Sequence, residues 1–384
     1  MTNIIDSIRQ RFAPPKPIPQ GIYHYISPPN DPRNYRLHLR VEPGGMGVLV
    51  VNASTVLHLN ETATEYAYYF VENVHASDVA SKMAKRYHVG EEQAYNDYQE
   101  FGQRILALVE TPDLDPVTFL DFGRVTPFSS KLSAPYRLDC ALTYLLPEGS
   151  DPSFAPTDRV KREMTTTEWR QVLEKAWNIG IPHVIFTGGE PTLRADLVEL
   201  ASYAESLGMV TGLLTDGINL AAEDYFDRVL ATGLDHLMLL YQGGNEDFWT
   251  TLRRAIAADI FVAVHLTITP DNQTAYAQIL QNLAEIGLTA ISLTASTAEQ
   301  NPALEDARQK AADLGLELVW NLPVPYSAYH PVKLEVPKAE RVEGAGRAWL
   351  YIEPDGDVLP EQGDTVVLGN FLTDAWEKIW KQSK

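Results

Sequence analysis

Phe186-Thr187-Gly188-Gly189-Glu190-Pro191-Thr192-Leu193 is the stretch on which the reading of this chain turns. The apolar run His183-Val184-Ile185-Phe186 enters it as a strand, two glycines turn the chain, and Pro191 suits a first helical position. Leu193, Leu197, Leu200, Ala201, Ala204 and Leu207 then recur at helical spacing. Adjacent glycines let a backbone come close to a ligand, and peptide N–H groups at a helix start attract negative charge. An ordinary strand-to-helix turn would carry the same Gly-Gly, so the rest of the chain has to discriminate.

Outward from this turn runs a regular alternation of helix, glycine and apolar strand. Gly180 precedes His183–Phe186, Gly208 precedes Val210–Leu214, and Gly233 precedes His236–Leu240. Asp259 precedes Phe261–Ile268, Gly287 precedes Ala290–Leu293, and Gly315 precedes Glu317–Trp320. Successive intervals are 28, 25, 26, 28 and 28 residues, one β-α unit each, and each glycine suits a helix C-cap. Such units predict parallel strands with helices covering one face. With Tyr136–Leu145 as first strand there are about seven, too few for an eightfold barrel, so a partial (β/α)6-type barrel over 135–320 is expected. Thr165-x-x-Glu168 is a capping box opening the first crossover helix. Ligands of parallel β/α folds sit at the carboxyl ends of the strands. Gly188-Gly189-Glu190, Thr215-Asp216-Gly217, Tyr241-Gln242-Gly243-Gly244 and Thr269-Pro270-Asp271-Asn272 all fall there, and Asp216 and Asp271 serve equally well as helix caps.

Ahead of the repeat, residues 1–33 are proline-rich and read as an extended arm. Tyr35, Leu37, Leu39 and Val41 alternate with Arg36, His38 and Arg40 as a half-buried strand, Gly44-Gly45 turns it, and Val48–Val51 and Val56–Leu59 follow as strands. Three helices come next, carrying Tyr66 and Phe70, then Val79 and Met83 after a Ser77 cap, then Tyr98, Phe101 and Ile105. A small sheet with three short helices over 34–110 is a winged-helix-like α+β module. Residues 111–134 look like a linker, and 321–384 hold a hairpin, Trp349–Ile352, Pro354-Asp355-Gly356 and Val358-Leu359, then a last helix with Trp376, Ile379 and Trp380.

Composition limits the function. Of 384 residues 45% are hydrophobic and 21% charged, which is ordinary for a soluble globular protein. The net charge of −20 argues against a nucleic-acid partner, since phosphate binding needs a basic face, and suits basic peptides. No apolar run approaches the ~18 residues of a membrane helix, and Met1 to Gln20 lacks a signal-peptide core, so a cytoplasmic protein is expected. The one cysteine, Cys140, forbids an intrachain disulfide and any cysteine-held cluster built by this chain alone. No His-x3-His, Gly-x-Ser-x-Gly or Walker-type pattern is present, and no catalytic or metal-ligating residue is assigned.

The Gly-Gly-Glu-Pro segment, Tyr136-Arg137-Leu138-Asp139-Cys140-Ala141-Leu142-Thr143-Tyr144, Thr215-Asp216-Gly217 and the Pro-Asp-Gly tail resemble those of radical S-adenosylmethionine (SAM) peptide maturases, with a SPASM or twitch-type C-terminal segment. The module at 34–110 resembles the PqqD-like peptide-recognition domain through its strand pair, Leu59-Asn60 and Tyr87-His88-Val89. The resemblance implies a SAM-type pocket at Gly188, Gly189, Glu190, Pro191 and Asp216, and a leader peptide that adds as a strand to the sheet edge beside the third helix. It also implies a Cys-x3-Cys-x2-Cys loop after the first strand. Here those positions hold Leu146, Ser150 and Ser153, and the tail position after Val358-Leu359-Pro360 holds Glu361. Nearby Glu148 and Asp151 are hard oxygen donors, poor replacements for thiolates on a low-potential cluster. The reading is a pseudoenzyme without iron–sulfur clusters, SAM remaining a candidate ligand. It would act by binding a leader or precursor peptide or an active radical SAM paralogue. The alternative is a cluster-independent enzyme using the residual pocket.

Overall fold

The computed structural model describes residues 18–28, 30–52, 55–111, 132–258, 260–329 and 341–383. Most of the 111–134 linker, the arm before Ile18, Asp259, and 330–340 of the C-terminal segment lie outside them. The chain divides into two compact units, Met1–Ser133 and Ala134–Lys384.

The first unit is an antiparallel sheet in the order β1 (Gly21–Ile26), β2 (Arg36–Val41), β3 (Gly47–Val51), β4 (Thr55–Leu59), followed by helices α1 (Glu61–Val71), α2 (Ala76–Tyr87) and α3 (Glu91–Glu110). β1 falls inside the stretch read as an extended arm: Gly21 through Ile26 pair with Val41 back to Arg36. Alternate residues of β2, β3 and β4, among them Leu37, Leu39, Leu49 and Leu57, meet Tyr66, Met83 and Ile105 of the helices in one apolar core. The other face of β2 departs from its half-buried reading: His38 and Arg40 are 4% and 6% exposed. Arg40 can be buried because its Nε donates to Glu42 at 2.9 Å, which neutralises it. Asn60 caps α1 by accepting from the Ala63 N–H. His75, not Ser77, is the N-cap of α2, and its ring accepts from the Ser77 N–H.

The second unit carries the repeat: β5 (Arg137–Thr143), α4 (Thr166–Ile179), β6 (His183–Gly188), α5 (Leu197–Leu207), β7 (Val210–Thr215), α6 (Glu223–Leu230), β8 (His236–Leu240), α7 (Glu246–Ala257), β9 (Phe261–Ile268), α8 (Tyr276–Glu285), β10 (Ala290–Ala295), α9 (Asn301–Asp313) and β11 (Glu317–Leu318). These seven strands are parallel neighbours in chain order, a mixed α/β arrangement. The capping box at α4 forms in full, and Gly180 ends that helix at φ +96°, a left-handed conformation that a side chain would strain. Ile185, Leu214, Met238, Leu240, Ala263 and Ala290 form an apolar cluster that contains no helical residue, which marks the sheet face turned away from the helices.

The C-terminal segment extends this sheet. β12 (Trp349–Ile352) lies parallel to β5, and β13 (Asp357–Leu359) and β14 (Gly369–Asn370) follow antiparallel, giving the order β11-β10-β9-β8-β7-β6-β5-β12-β13-β14 among the described residues. The Pro354-Asp355-Gly356 turn joins β12 to β13, and α10 (Trp376–Gln382) ends the described chain.

Candidate functional site at the carboxyl ends of β5, β6 and β7

The turn after β6 is built by the close passage of two backbones. A Cβ on Gly188 would stand 2.1 Å from the Thr143 carbonyl oxygen, and one on Gly189 2.2 Å from that of Leu145. Gly189 N–H donates to Thr143 O and Glu190 N–H to Leu145 O, both at 2.8 Å, and Gly188 O accepts from Tyr326 N–H. The glycines therefore meet a packing requirement against the chain leaving β5, and these peptide groups are already satisfied. Pro191–Leu193 is a single 3-10 turn, and α5 begins only at Leu197. Two independent features thus replace the expected single strand-to-helix joint: a tight turn, then a helix six residues later. Leu193, read as part of the helix's apolar face, is 38% exposed.

Glu190 is 2% exposed, and its carboxylate gathers donors from its own turn and from the end of β7. Oε1 accepts from Thr192 N–H at 2.9 Å, Thr192 Oγ1 at 2.5 Å and Thr215 Oγ1 at 2.6 Å, and Oε2 from Asp216 N–H at 2.8 Å. Asp216, 7% exposed, accepts from Ile218 N–H at 2.9 Å, so it caps the turn after β7 as its alternative reading proposed. Of the five residues expected at a SAM-type pocket, Gly188, Gly189, Glu190 and Pro191 form the first turn and Asp216 joins it through Glu190. Asp271 is an exposed residue of the turn after β9, where Asn272 does the capping by accepting from Thr269 N–H.

The loop after β5 is built differently. Leu146 packs against Ala141, Tyr144, Ala155, Tyr326, Tyr351 and Leu359. Ser150 closes a turn onto Pro147, and Ser153 is exposed at the start of a 3-10 turn capped by Asp151. Cys140 faces neither loop: it is fully buried in β5 beside Phe186 and Ile352, and burial pushes its thiol well above its ordinary pKa. The donor set at Leu146, Ser150 and Ser153, one alkyl and two hydroxyl side chains, does not fit an iron–sulfur cluster, which takes thiolates.

In that place the loop is tied to the tail by charge. Tyr144 O–H donates to Glu353 Oε1 at 3.0 Å, and Arg159 Nη2 donates to Glu353 Oε2 at 3.0 Å. Arg159 Nη1 also reaches Asp364 O at 3.1 Å, while Arg341 pairs with the Asp364 carboxylate. Burial raises the Glu353 pKa and Arg159 holds it down. Tyr144 and Tyr326 meet edge to face at 5.4 Å. Glu361 is 9% exposed beside Val342 N–H, and burial pushes it up to about 7. Glu353, Asp355 and Asp357 can bring carboxylate oxygens within 4.8 Å of one another. Both Glu353 oxygens are already engaged, and Asp355 and Asp357 hold the hairpin turn, so the group reads as structural. Sequence reasoning missed Arg159 and Glu353. Arg159 is one of three basic residues in a loop of mixed charge, with Lys161 and Arg162, and its partner lies 194 residues away, so no local signal singled it out.

Residues 147–264 match the family model described as Radical SAM superfamily. The PqqA peptide cyclase of Rhizobium meliloti is 28% identical over 267 residues, 59% of this chain and 67% of that protein. That of Bradyrhizobium diazoefficiens is 42% identical over 89 residues, so the chain matches only 23% of that relative's length. The fold is similar to that of Streptococcus suis SuiB bound to precursor peptide SuiA, with a TM-score of 0.59 and 14% identity, covering 93% of this chain and 88% of that one. SuiB bound to S-adenosylmethionine gives 0.57 at 14% identity over the same shares. The strand-end site thus lies in a stretch similar to the radical SAM superfamily, on a fold similar to that of a protein crystallised with a precursor peptide.

Proposed function

We propose that this chain is a radical SAM-fold pseudoenzyme that works by binding a leader or precursor peptide, or an active maturase partner, in peptide modification. The observation that carries this reading is the donor set after β5: Leu146, Ser150 and Ser153 stand where thiolates would be needed, and Glu361 stands at the tail position. A similar fold in a protein crystallised with precursor peptide SuiA supports peptide binding. In this reading the parallel sheet is a partial barrel, residues 321–384 are a SPASM or twitch-like segment, and 34–110 are a PqqD-like domain. That domain offers β4, which ends its sheet, as the edge where a peptide adds as a further strand.

The experiment is anaerobic iron and sulfide reconstitution of the full chain with SAM and a reductant. The expected result is a colourless protein and no SAM cleavage; a bound cluster with reductive cleavage would overturn the reading. Pull-down from the native host then identifies the peptide or maturase. A second reading, a cluster-independent enzyme using Gly188, Gly189, Glu190, Pro191 and Asp216 as a residual SAM-type pocket, is favoured by the burial of Glu190 and Asp216 together at the strand ends. Calorimetry with SAM separates the two: binding abolished by Gly189→Trp in a folded variant supports the pocket, and absence of binding supports the pseudoenzyme.

A further inference from the structure

Glu190 and Asp216 are two buried carboxyl groups held against each other. The Asp216 N–H donates to Glu190 Oε2 at 2.8 Å, which brings the two acids together where the turns meet. Neither has an arginine or lysine partner among the described residues. The turns around them supply only neutral groups: Thr192, Thr215, and Asn219, which donates to Thr192 Oγ1. From α6 comes Tyr225, whose O–H reaches Thr192 O at 3.4 Å, with the Arg228 guanidinium 5.2 Å from its ring centre. Two other buried acids of the unit are neutralised, Glu353 by Arg159 and Asp364 by Arg341. Two adjacent carboxylates in a low-dielectric site without a cation cannot both stay ionised.

We infer that Glu190 and Asp216 share a single proton at neutral pH, and that this proton latches the turn after β6 to the turn after β7. The proton belongs to the pair and not to either carboxyl alone. Burial followed by the Asp216 charge pushes Glu190 up to about 8, and burial pushes Asp216 up as well. The pair titrates as a unit. Because its folded pKa lies above the ordinary carboxylic range, the pair stabilises the fold fully in acid. That stability is lost as pH rises from the ordinary range of about 4 through about 8. The strand-end turns are therefore tightest in mild acid and loosen towards alkaline pH.

Asp216→Asn tests this, because an amide N–H takes the place of the shared proton while the amide oxygen still accepts from Ile218. Relative to the two proteins at about pH 4, the variant's unfolding constant at about pH 9 should be at least tenfold smaller than the parent's, since the window spans more than one pKa unit. Infrared spectra of folded Glu361→Gln, which removes the other carboxyl raised to about 7, should show at neutral pH a protonated-carboxyl C=O band that adding Asp216→Asn diminishes. Parallel pH curves for parent and variant, or no such band in Glu361→Gln, would overturn the inference. Should Asp216→Asn fail to fold, the infrared band of Glu361→Gln and its loss as pH rises through about 8 decide alone.

Discussion

The turns after β5 and after β6 sit side by side, tied by the Gly189 to Thr143 and Glu190 to Leu145 hydrogen bonds, yet they are held together by different means. The β6 turn is closed by its own backbone and by one buried carboxylate that faces only neutral donors and another acid. The β5 loop is closed at a distance by Arg159, Tyr144 and Glu353, whose charges cancel across the unit. In the first turn the residue types are dictated by contact distances of about 2 Å that only glycine survives. In the second, no single position is sterically dictated, and Leu146, Ser150 and Ser153 stand there without disturbing the fold. A Gly-Gly-Glu turn can thus persist for reasons of packing alone, so its presence supports a fold and says little about a reaction.

The sharpest break of this comparison is Gly188→Ala. A Cβ 2.1 Å from Thr143 O at φ +135° forces two strands apart, and denaturant titration should show a loss of about 4 kcal/mol or failure to fold. Arg159→Met leaves Glu353 buried without its cation. Since Arg159 is itself 26% exposed, the expected loss is about 2 kcal/mol, and Glu353→Gln in the same background should restore part of it in a double-mutant cycle. Glu361 sets a pH dependence on the tail side. Its folded-state pKa is raised to about 7, so stability should fall as pH climbs from the ordinary carboxylic range through about 7, and Glu361→Gln should flatten that slope in thermal melts. The smallest effect belongs to Ser153→Ala, within about 0.5 kcal/mol, because the side chain is exposed and the Asp151 cap holds the backbone N–H. A large loss at Ser153 or a small one at Gly188 would dissolve the distinction between the two turns.

The legible parts of the fold were those encoded in neighbouring residues. The period of the apolar runs predicted the parallel strands, and His236–Leu240 and Phe261–Ile268 begin and end as expected. Thr165 and Glu168 announced their capping box within four residues. Illegible parts depended on partners far along the chain. The tail hairpin was visible, but not that β12 would lie parallel on β5. Alternation in β2 placed Arg40 outside, and only its pairing with Glu42 lets it stay inside. Pro191 looked like a helix start because proline fits one, yet the Glu190 carboxylate captures the Thr192 N–H and makes an isolated turn there instead.

By itself, the sequence determined that this chain carries a repeated strand–helix unit, a glycine turn at a strand end, and a loop with no thiolate to offer a metal. Those are properties of residue type and spacing, which act over one or two turns of chain. Only the tertiary structure decided that the glycines answer to Thr143 and Leu145, that Arg159 meets Glu353, and that Glu190 and Asp216 lie buried together without a cation. Contact distance, desolvation and charge pairing are set by which distant segments fold against one another, and they fix what each turn can do.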